Sequence, residues 1–258
     1  MATPDNLQVE TFQPVFSPPE GAEPDAHKKA TFILLHGRSF GAWVWKEVEE
    51  GLTAKGHDVY VPELPIKQKR LNYVQYAGRI AAEAEGAENI AVVAWSRPGR
   101  LVWWLADLLP VEYQIFQNAD IPYSIDQISI AQKAPPKYPQ AYQDTIHTRA
   151  DGLEMWKYNP ELMAYYLGLP VAQVENIWPL LRRQNPNDKA GLPPKHTDDR
   201  ILSIYGTEDN IINNPYSIYS SREQLGVEAE PMECGHTPPL SHPGALVDRY
   251  DRFIQEAA

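Results

Sequence analysis

The sequence predicts an α/β protein: a mostly parallel, doubly wound sheet that carries a helical cap insertion. Short apolar runs recur along the chain and are near-continuously apolar rather than alternating, as strands covered on both faces of a parallel sheet are. Stretches of helical length separate them, giving the strand–helix alternation of α/β folds. One long segment without a strand signal interrupts the rhythm.

Taken in order, residues 1–29 carry Pro, Gly and charge; 9–15 reads as a short edge strand and the rest as tail. The apolar runs are 31–35, 58–61, 90–95, 113–116, 201–205 and, more weakly, 227–232. Between them, 43–55 reads as a helix ending at Gly56, a natural residue just past a helix C-terminus. A second helix spans 72–85 before Gly86, and a third spans 98–109 and is stopped by Pro110. Another runs over 216–225 before Gly226, and 244–255 closes the chain with Ser241 as N-cap. From 119 to 198 the pattern changes: 161–167 and 174–183 have helical spacing, and Tyr, Trp, Met and Pro crowd the segment. The domain expectation is therefore a tail at 1–29, a core formed by 30–118 and 199–258, and a cap at 119–198.

Composition narrows the function. A formal net charge of −11 argues against nucleic acid, whose phosphates would be repelled. The one cysteine, Cys234, removes an internal disulfide framework and any cysteine-rich zinc site. No apolar run reaches the roughly 18 residues of a membrane span. The first residues lack a secretory signal, so the expected location is cytoplasmic. The expected partner is a small molecule, without membrane or nucleic acid; homodimerisation is left open.

The strand at 90–95 runs straight into Ser96-Arg97-Pro98-Gly99 and an apolar helix. A Ser at such a turn is lifted off the sheet edge onto a helix N-terminus, where unpaired N–H groups favour negative charge. The tight turn wants small residues two before and two after the Ser, the G-x-S-x-G pattern. Here the run is Ala94-Trp95-Ser96-Arg97-Pro98, and the Pro ring is expected to push Arg97 out of the helical region. The plain alternative is that Ser96 only caps a helix.

The first strand ends in His36-Gly37-Arg38. With the supposed sheet order its loop lies beside the Ser turn, so the backbone amides of Arg38 and Arg97 would converge on an oxygen that becomes negative during acyl transfer. One such donor is worth about 3 kcal/mol to a transition state. His36 reads as packing beneath the loop. One hypothesis has at least one of the two guanidinium groups pairing with a carboxylate or phosphate on the substrate; the alternative points both to solvent or acidic neighbours.

After the strand at 201–205 comes Gly206-Thr207-Glu208-Asp209, and a carboxylate there can orient an imidazole. Asp209 is favoured, with Glu208 and Asp120 as competitors. Gly235 then delivers His236 past the last strand, while His242 reads as a surface or capping residue. Ser96, Asp209 and His236 each follow a strand end, in the order Ser, Asp, His.

The run from His36 to Trp45, followed by Gly56-His57-Asp58-Val59, resembles the first motif of the α/β-hydrolase branch that holds plant-type methylesterases, hydroxynitrile lyases and bacterial relatives. Gly235-His236 with Leu240-Ser241-His242-Pro243 is similar to that branch's C-terminal motif, and Tyr158-Asn159-Pro160-Glu161 is familiar from its cap. The resemblance implies a triad of Ser96, Asp209 and His236 and an oxyanion hole from the amides of Arg38 and Arg97. The branch's lyases carry Thr at Gly37 and Lys at Thr237; both markers are absent, which tilts the expectation toward ester hydrolysis. No cofactor or metal is implied.

The expected reaction is acyl transfer in two steps on a small to medium hydrophobic ester, lactone or thioester. Trp95, Tyr123, Trp156, Met163, Tyr165, Tyr166 and Trp178 are the candidate pocket walls, each with core packing as its alternative. A lyase using the same Ser and His, and a receptor with vestigial turnover, are the rival readings.

Overall fold

The computed structural model describes residues 27–187 and 191–256. The edge strand expected at 9–15 lies outside the described residues. The first half runs β1 (Thr31–Leu35), a 3-10 turn at Ala42–Trp45, α1 (Lys46–Ala54), β2 (Asp58–Tyr60) and α2 (Tyr73–Glu83). It continues with β3 (Ile90–Trp95), a 3-10 turn at Arg97–Leu101, α3 (Val102–Ala106) and β4 (Val111–Gln117). The inserted segment holds α4 (Ile128–Ala131), α5 (Gln140–Gln143), β5 (Ile146–Thr148), β6 (Glu154–Trp156), α6 (Pro160–Leu167) and α7 (Val171–Ile177). The chain then returns through β7 (Arg200–Gly206), α8 (Asn214–Ser220), β8 (Glu230–Met232), α9 (Pro238–Ser241) and α10 (Pro243–Glu256).

Six strands pair in parallel in the order β2-β1-β3-β4-β7-β8. Parallel pairing puts every carboxyl end on one edge: Leu35 lies beside Ala94, Trp95 beside Gln117 and Gly206 beside Met232. Alternate residues of the central strands enter opposite cores. Phe32, Leu34, Val93 and Trp95 face α1 and α10, together with the cap residues Tyr142, Trp156 and Met163. Ile33, Leu35, Val92 and Ala94 face α2 and α3. Both faces are thus covered, which is why the strands read as unbroken apolar runs. On the first face α1 and α10 touch so closely that a Cβ at Gly51 would lie 2.6 Å from Val247.

Several helix ends differ from expectation, each for a local reason. Asn72 caps α2 and forms a capping box with Gln75, so the helix begins one residue later. The predicted helix at 98–109 is α-helical only over Val102–Ala106, because Pro98 and Gly99 sit in the preceding 3-10 turn. Pro98 does not expel Arg97 from the turn, as expected from its ring; Arg97 is the first residue of it. The helix predicted at 216–225 starts at Asn214 and relaxes into a π-turn at Ser221–Leu225. Ser241 is not the N-cap of α10 but the last residue of α9. The helix predicted at 174–183 stops at Ile177, where Pro179 enters a 3-10 turn.

The insertion is not wholly helical. β5 and β6 form an antiparallel hairpin, and Glu154 bridges to Gln184. Its turn is closed by Gly152, whose φ of +74° only glycine adopts readily, and by Arg149 N–H donating to Leu153 O at 2.8 Å. Three-residue strands carrying His147, Thr148 and Glu154 have too little apolar content to register as strands.

Residues 27–29 do not hang free. His27 pairs with Asp251 at 2.6 Å, and Lys29 with Asp58 at 2.9 Å. His27, His57 and Asp251 cluster as metal ligands would, yet the site is a poor one. His57 Nδ1 accepts from Ala30 N–H, so Nε2 carries the proton and spends it on Asp251, which Lys55 also holds at 3.0 Å. Among the described residues no helix is long and apolar enough to cross a membrane.

Candidate active site

Ser96 follows β3 with φ +68° and ψ −130°, a conformation a non-glycine residue rarely holds. Its carbonyl accepts from Asp120 N–H at 2.9 Å and Gly99 N–H at 3.2 Å, which fixes the turn from both sides. The small residue the turn needs is Gly99: a Cβ there would fall 2.0 Å from Asp120 O. Ser96 is therefore not an ordinary helix cap; no cap hydrogen bond forms from its side chain.

That conformation aims the hydroxyl at His236. Ser96 Oγ lies 3.0 Å from His236 Nε2, and His236 Nδ1 lies 2.8 Å from Asp209 Oδ2. The other carboxylate oxygen of Asp209 accepts from Ile211 N–H at 2.7 Å and Ile212 N–H at 2.9 Å, so both oxygens are held. His236 and Asp209 are nearly sealed from solvent, with side chains 4% and 2% exposed. The competing acids are elsewhere. Glu208 is exposed, and Asp120 is paired with Lys137 and accepts from Tyr138 OH. Cys234 is buried, which pushes its thiol up to about 12, with the charges of Asp209 and Glu208 adding to the effect.

The loop after β1 packs directly on this turn. A Cβ at Gly37 would come within 3.0 Å of the Trp95 ring and 3.2 Å of Ser96 Cβ. His36 anchors the loop from below. Its Nδ1–H donates to Gly37 O, while Nε2 accepts from Leu64 N–H and Arg182, each at 3.1 Å. Burial, with the Arg182 charge adding, lowers its pKa to about 3, against a smaller opposing effect of the Gly37 hydrogen bond. It is a neutral structural histidine.

No protein-family model matches the chain. Methylesterase 7 of Arabidopsis thaliana is 28% identical over 159 residues, 55% of this chain, and the chain spans 61% of the length of that curated relative. A solved pyrethroid hydrolase from Sphingobium faniae superposes with a TM-score of 0.70 at 18% identity, covering 88% of this chain and 98% of its own. An extracellular α/β-hydrolase from a Paenibacillus species gives a TM-score of 0.61 at 17% identity over 86% of this chain and 98% of its own. The chain has the α/β-hydrolase fold.

On this α/β-hydrolase scaffold the cap grips the first loop. Arg38 forms an ion pair with Glu154 of β6, and Arg97 donates to Pro186 O at 3.2 Å. Arg182 Nε–H donates to Phe40 O at 2.8 Å and its guanidinium pairs with Glu63. Both guanidinium groups proposed to meet an anionic substrate are thus engaged within the protein.

The expected pocket walls are mostly packing residues. Trp95 is fully buried beneath the site. Trp156, Met163 and Tyr166 line a void of about 10 Å³ with Tyr142, and none of Ser96, Asp209 or His236 borders it. Tyr165 is 58% exposed, on the outer side of α6. Trp178 packs at a tilt of 48° against exposed Tyr158, ring centres 4.7 Å apart. Tyr123 lines a separate cleft of about 380 Å³. The crevice beside the Ser turn is bounded instead by Gly37, Arg38, Leu64, Ile66, Arg97 and Pro98.

Two residues near the site escaped the sequence reading. Asn118, fully buried at the end of β4, accepts from Gly206 N–H and donates to Gly235 O, each at 2.8 Å. It joins the loop of Asp209 to the loop of His236; its position at a strand end was the available signal. Tyr142 is buried beside the site, and burial pushes its hydroxyl up to about 12 while the charges of Arg38 and Arg97 oppose.

Proposed function

We propose that the chain is a serine hydrolase that cleaves a carboxylic ester, lactone or thioester of a small to medium hydrophobic substrate through an acyl-enzyme on Ser96. The observation that carries this is the Ser96–His236–Asp209 chain of contacts at 3.0 Å and 2.8 Å, built on a serine with φ +68°.

In the first step Ser96 Oγ attacks the carbonyl carbon and its proton passes to His236 Nε2. Asp209 fixes the tautomer and stabilises the imidazolium. The carbonyl oxygen becomes negative beside the backbone amides of Arg38 and Arg97, the proposed oxyanion donors. Collapse expels the alcohol or thiol, which takes the proton from His236. Water then attacks the acyl group with His236 again as base, releasing the acid and restoring Ser96.

Similarity to a methylesterase and to a pyrethroid hydrolase supports ester cleavage as the reaction class. The lyase reading loses support because Gly37 and Thr237 stand where the branch's lyases carry threonine and lysine. Since Arg38 and Arg97 are engaged with Glu154 and Pro186, the proposal requires no anionic substrate.

Phosphonate labelling with peptide mapping and a chromogenic short-chain ester assay test the reading. Labelling at Ser96 with turnover that Ser96→Ala abolishes is the expected result; turnover retained by Ser96→Ala would remove the proposal.

A further inference from the structure

A cleft of about 380 Å³ lies apart from the Ser96–His236–Asp209 contacts, and none of those three residues lines it. Its volume falls in the range of small-molecule sites. Arg100 and Lys137 reach it, apolar wall comes from Ile128, Ala131 and Leu192, and among the described residues no carboxylate lines it. In a chain of net charge −11 that is an unusual surface.

The charge count favours an anionic ligand. Behind the cleft, Asp120 holds Lys137 Nζ at 2.9 Å and Arg100 Nε at 3.6 Å, and also accepts from Tyr138 OH at 2.8 Å. Among the described residues it is the only carboxylate paired with either cation. Arg100 Nε is buried and makes no hydrogen bond. Two cations that line a partly apolar cleft therefore share one anion. We infer that this cleft binds an amphipathic carboxylate, its head against Arg100 and Lys137 and its apolar body along α4.

Tyrosines complete the site. The Arg100 guanidinium lies 5.9 Å from the Tyr123 ring centre, and Lys137 Nζ lies 5.3 Å from that of Tyr216. These rings fix the cations without neutralising them. Burial lowers the Lys137 ammonium to about 8 despite the raising effect of Asp120. A second carboxylate would offset that cost. The cleft also adjoins the Ser turn, since Arg100, which lines it, belongs to the 3-10 turn that follows Ser96.

The test is calorimetric titration of the full chain with octanoate and, as neutral control, octanamide. The Ser96→Ala variant serves as background, so the result does not depend on turnover. Octanoate should bind one to one and weaken about tenfold or more in Lys137→Met, as loss of a charge-assisted contact implies; octanamide should change less than twofold. Ala131→Trp, which fills the cleft and leaves the cations in place, should block both ligands and guards against misfolding of Lys137→Met. Wild-type protein labelled at Ser96 should still bind octanoate. Octanoate affinity unchanged in both variants, or lost on labelling Ser96, would overturn the inference.

Discussion

The indole Nε1–H of Trp95 donates to the backbone carbonyl of His236 at 2.6 Å. The residue that precedes Ser96 thereby holds the main chain of His236, 141 positions away. Asn118 does the same one residue earlier, at Gly235 O. Successive carbonyls of the His236 loop are thus held by side chains at the ends of the two central strands.

Trp95→Phe keeps most of the ring and removes the donor. A buried carbonyl left unpaired costs about 1–3 kcal/mol, which for a chain of this size lowers Tm by several degrees. Because that carbonyl belongs to His236, kcat for a chromogenic ester should fall about tenfold with little change in KM. A variant that loses stability at full kcat would show that Trp95 is only a core residue.

Asn118→Ala removes both ties at once. Gly206 N–H and Gly235 O are left facing a hole, and the two loops keep only direct backbone ties such as Glu208 N–H to Cys234 O at 3.1 Å among those described. The expected loss is larger than for Trp95→Phe, about 2–5 kcal/mol in urea unfolding, together with slower phosphonate labelling of Ser96. Wild-type labelling rate in a folded Asn118→Ala protein would refute the coupling.

The α/β class and the meeting of Ser96, Asp209 and His236 were legible because each rests on a local pattern: apolar runs set the strands, and parallel strands bring their carboxyl ends to one edge. What was not legible depends on contacts across the chain. Trp95 reads as a pocket aromatic until its indole is seen to find His236 O. Arg38 reads as a substrate cation until Glu154 of a hairpin too polar to predict comes alongside it. Pro98 looks obstructive in a turn whose tight contact in fact belongs to Gly99 and Asp120. Asn118 carries no motif, and only the register of β4 against β7 makes it the tie between two loops.

Acid should destabilise the fold through His36. Its folded pKa, about 3, lies below the unfolded value of about 6.5. Below pH 6.5 the unfolded chain therefore binds the proton first, so stability present at neutral pH is lost as pH falls toward 3. The slope approaches about 1.4 kcal/mol per pH unit. His57 shifts in the same direction, chiefly through burial, and adds to the loss. Urea midpoints measured at pH 7.5, 6.0 and 5.0 should decline in wild type and flatten in His36→Gln. An equal decline in both proteins would assign the acid sensitivity elsewhere.

The last prediction concerns the turn itself. Ser96 at φ +68° and ψ −130° carries backbone strain of about 1–3 kcal/mol. Ser96→Ala and Ser96→Gly both delete the hydroxyl and its contact with His236, so comparing them isolates the backbone. Alanine keeps the strain. Glycine relieves it, at an entropic cost of roughly 0.5–1 kcal/mol from the freer unfolded chain. The Gly variant should therefore be the more stable by about 1 kcal/mol, a Tm higher by about 2–4 °C, although both are inactive. An Ala variant at least as stable as the Gly variant would mean the turn holds no strain, and the positive φ of Ser96 would lose its meaning as the device that aims Oγ at the imidazole.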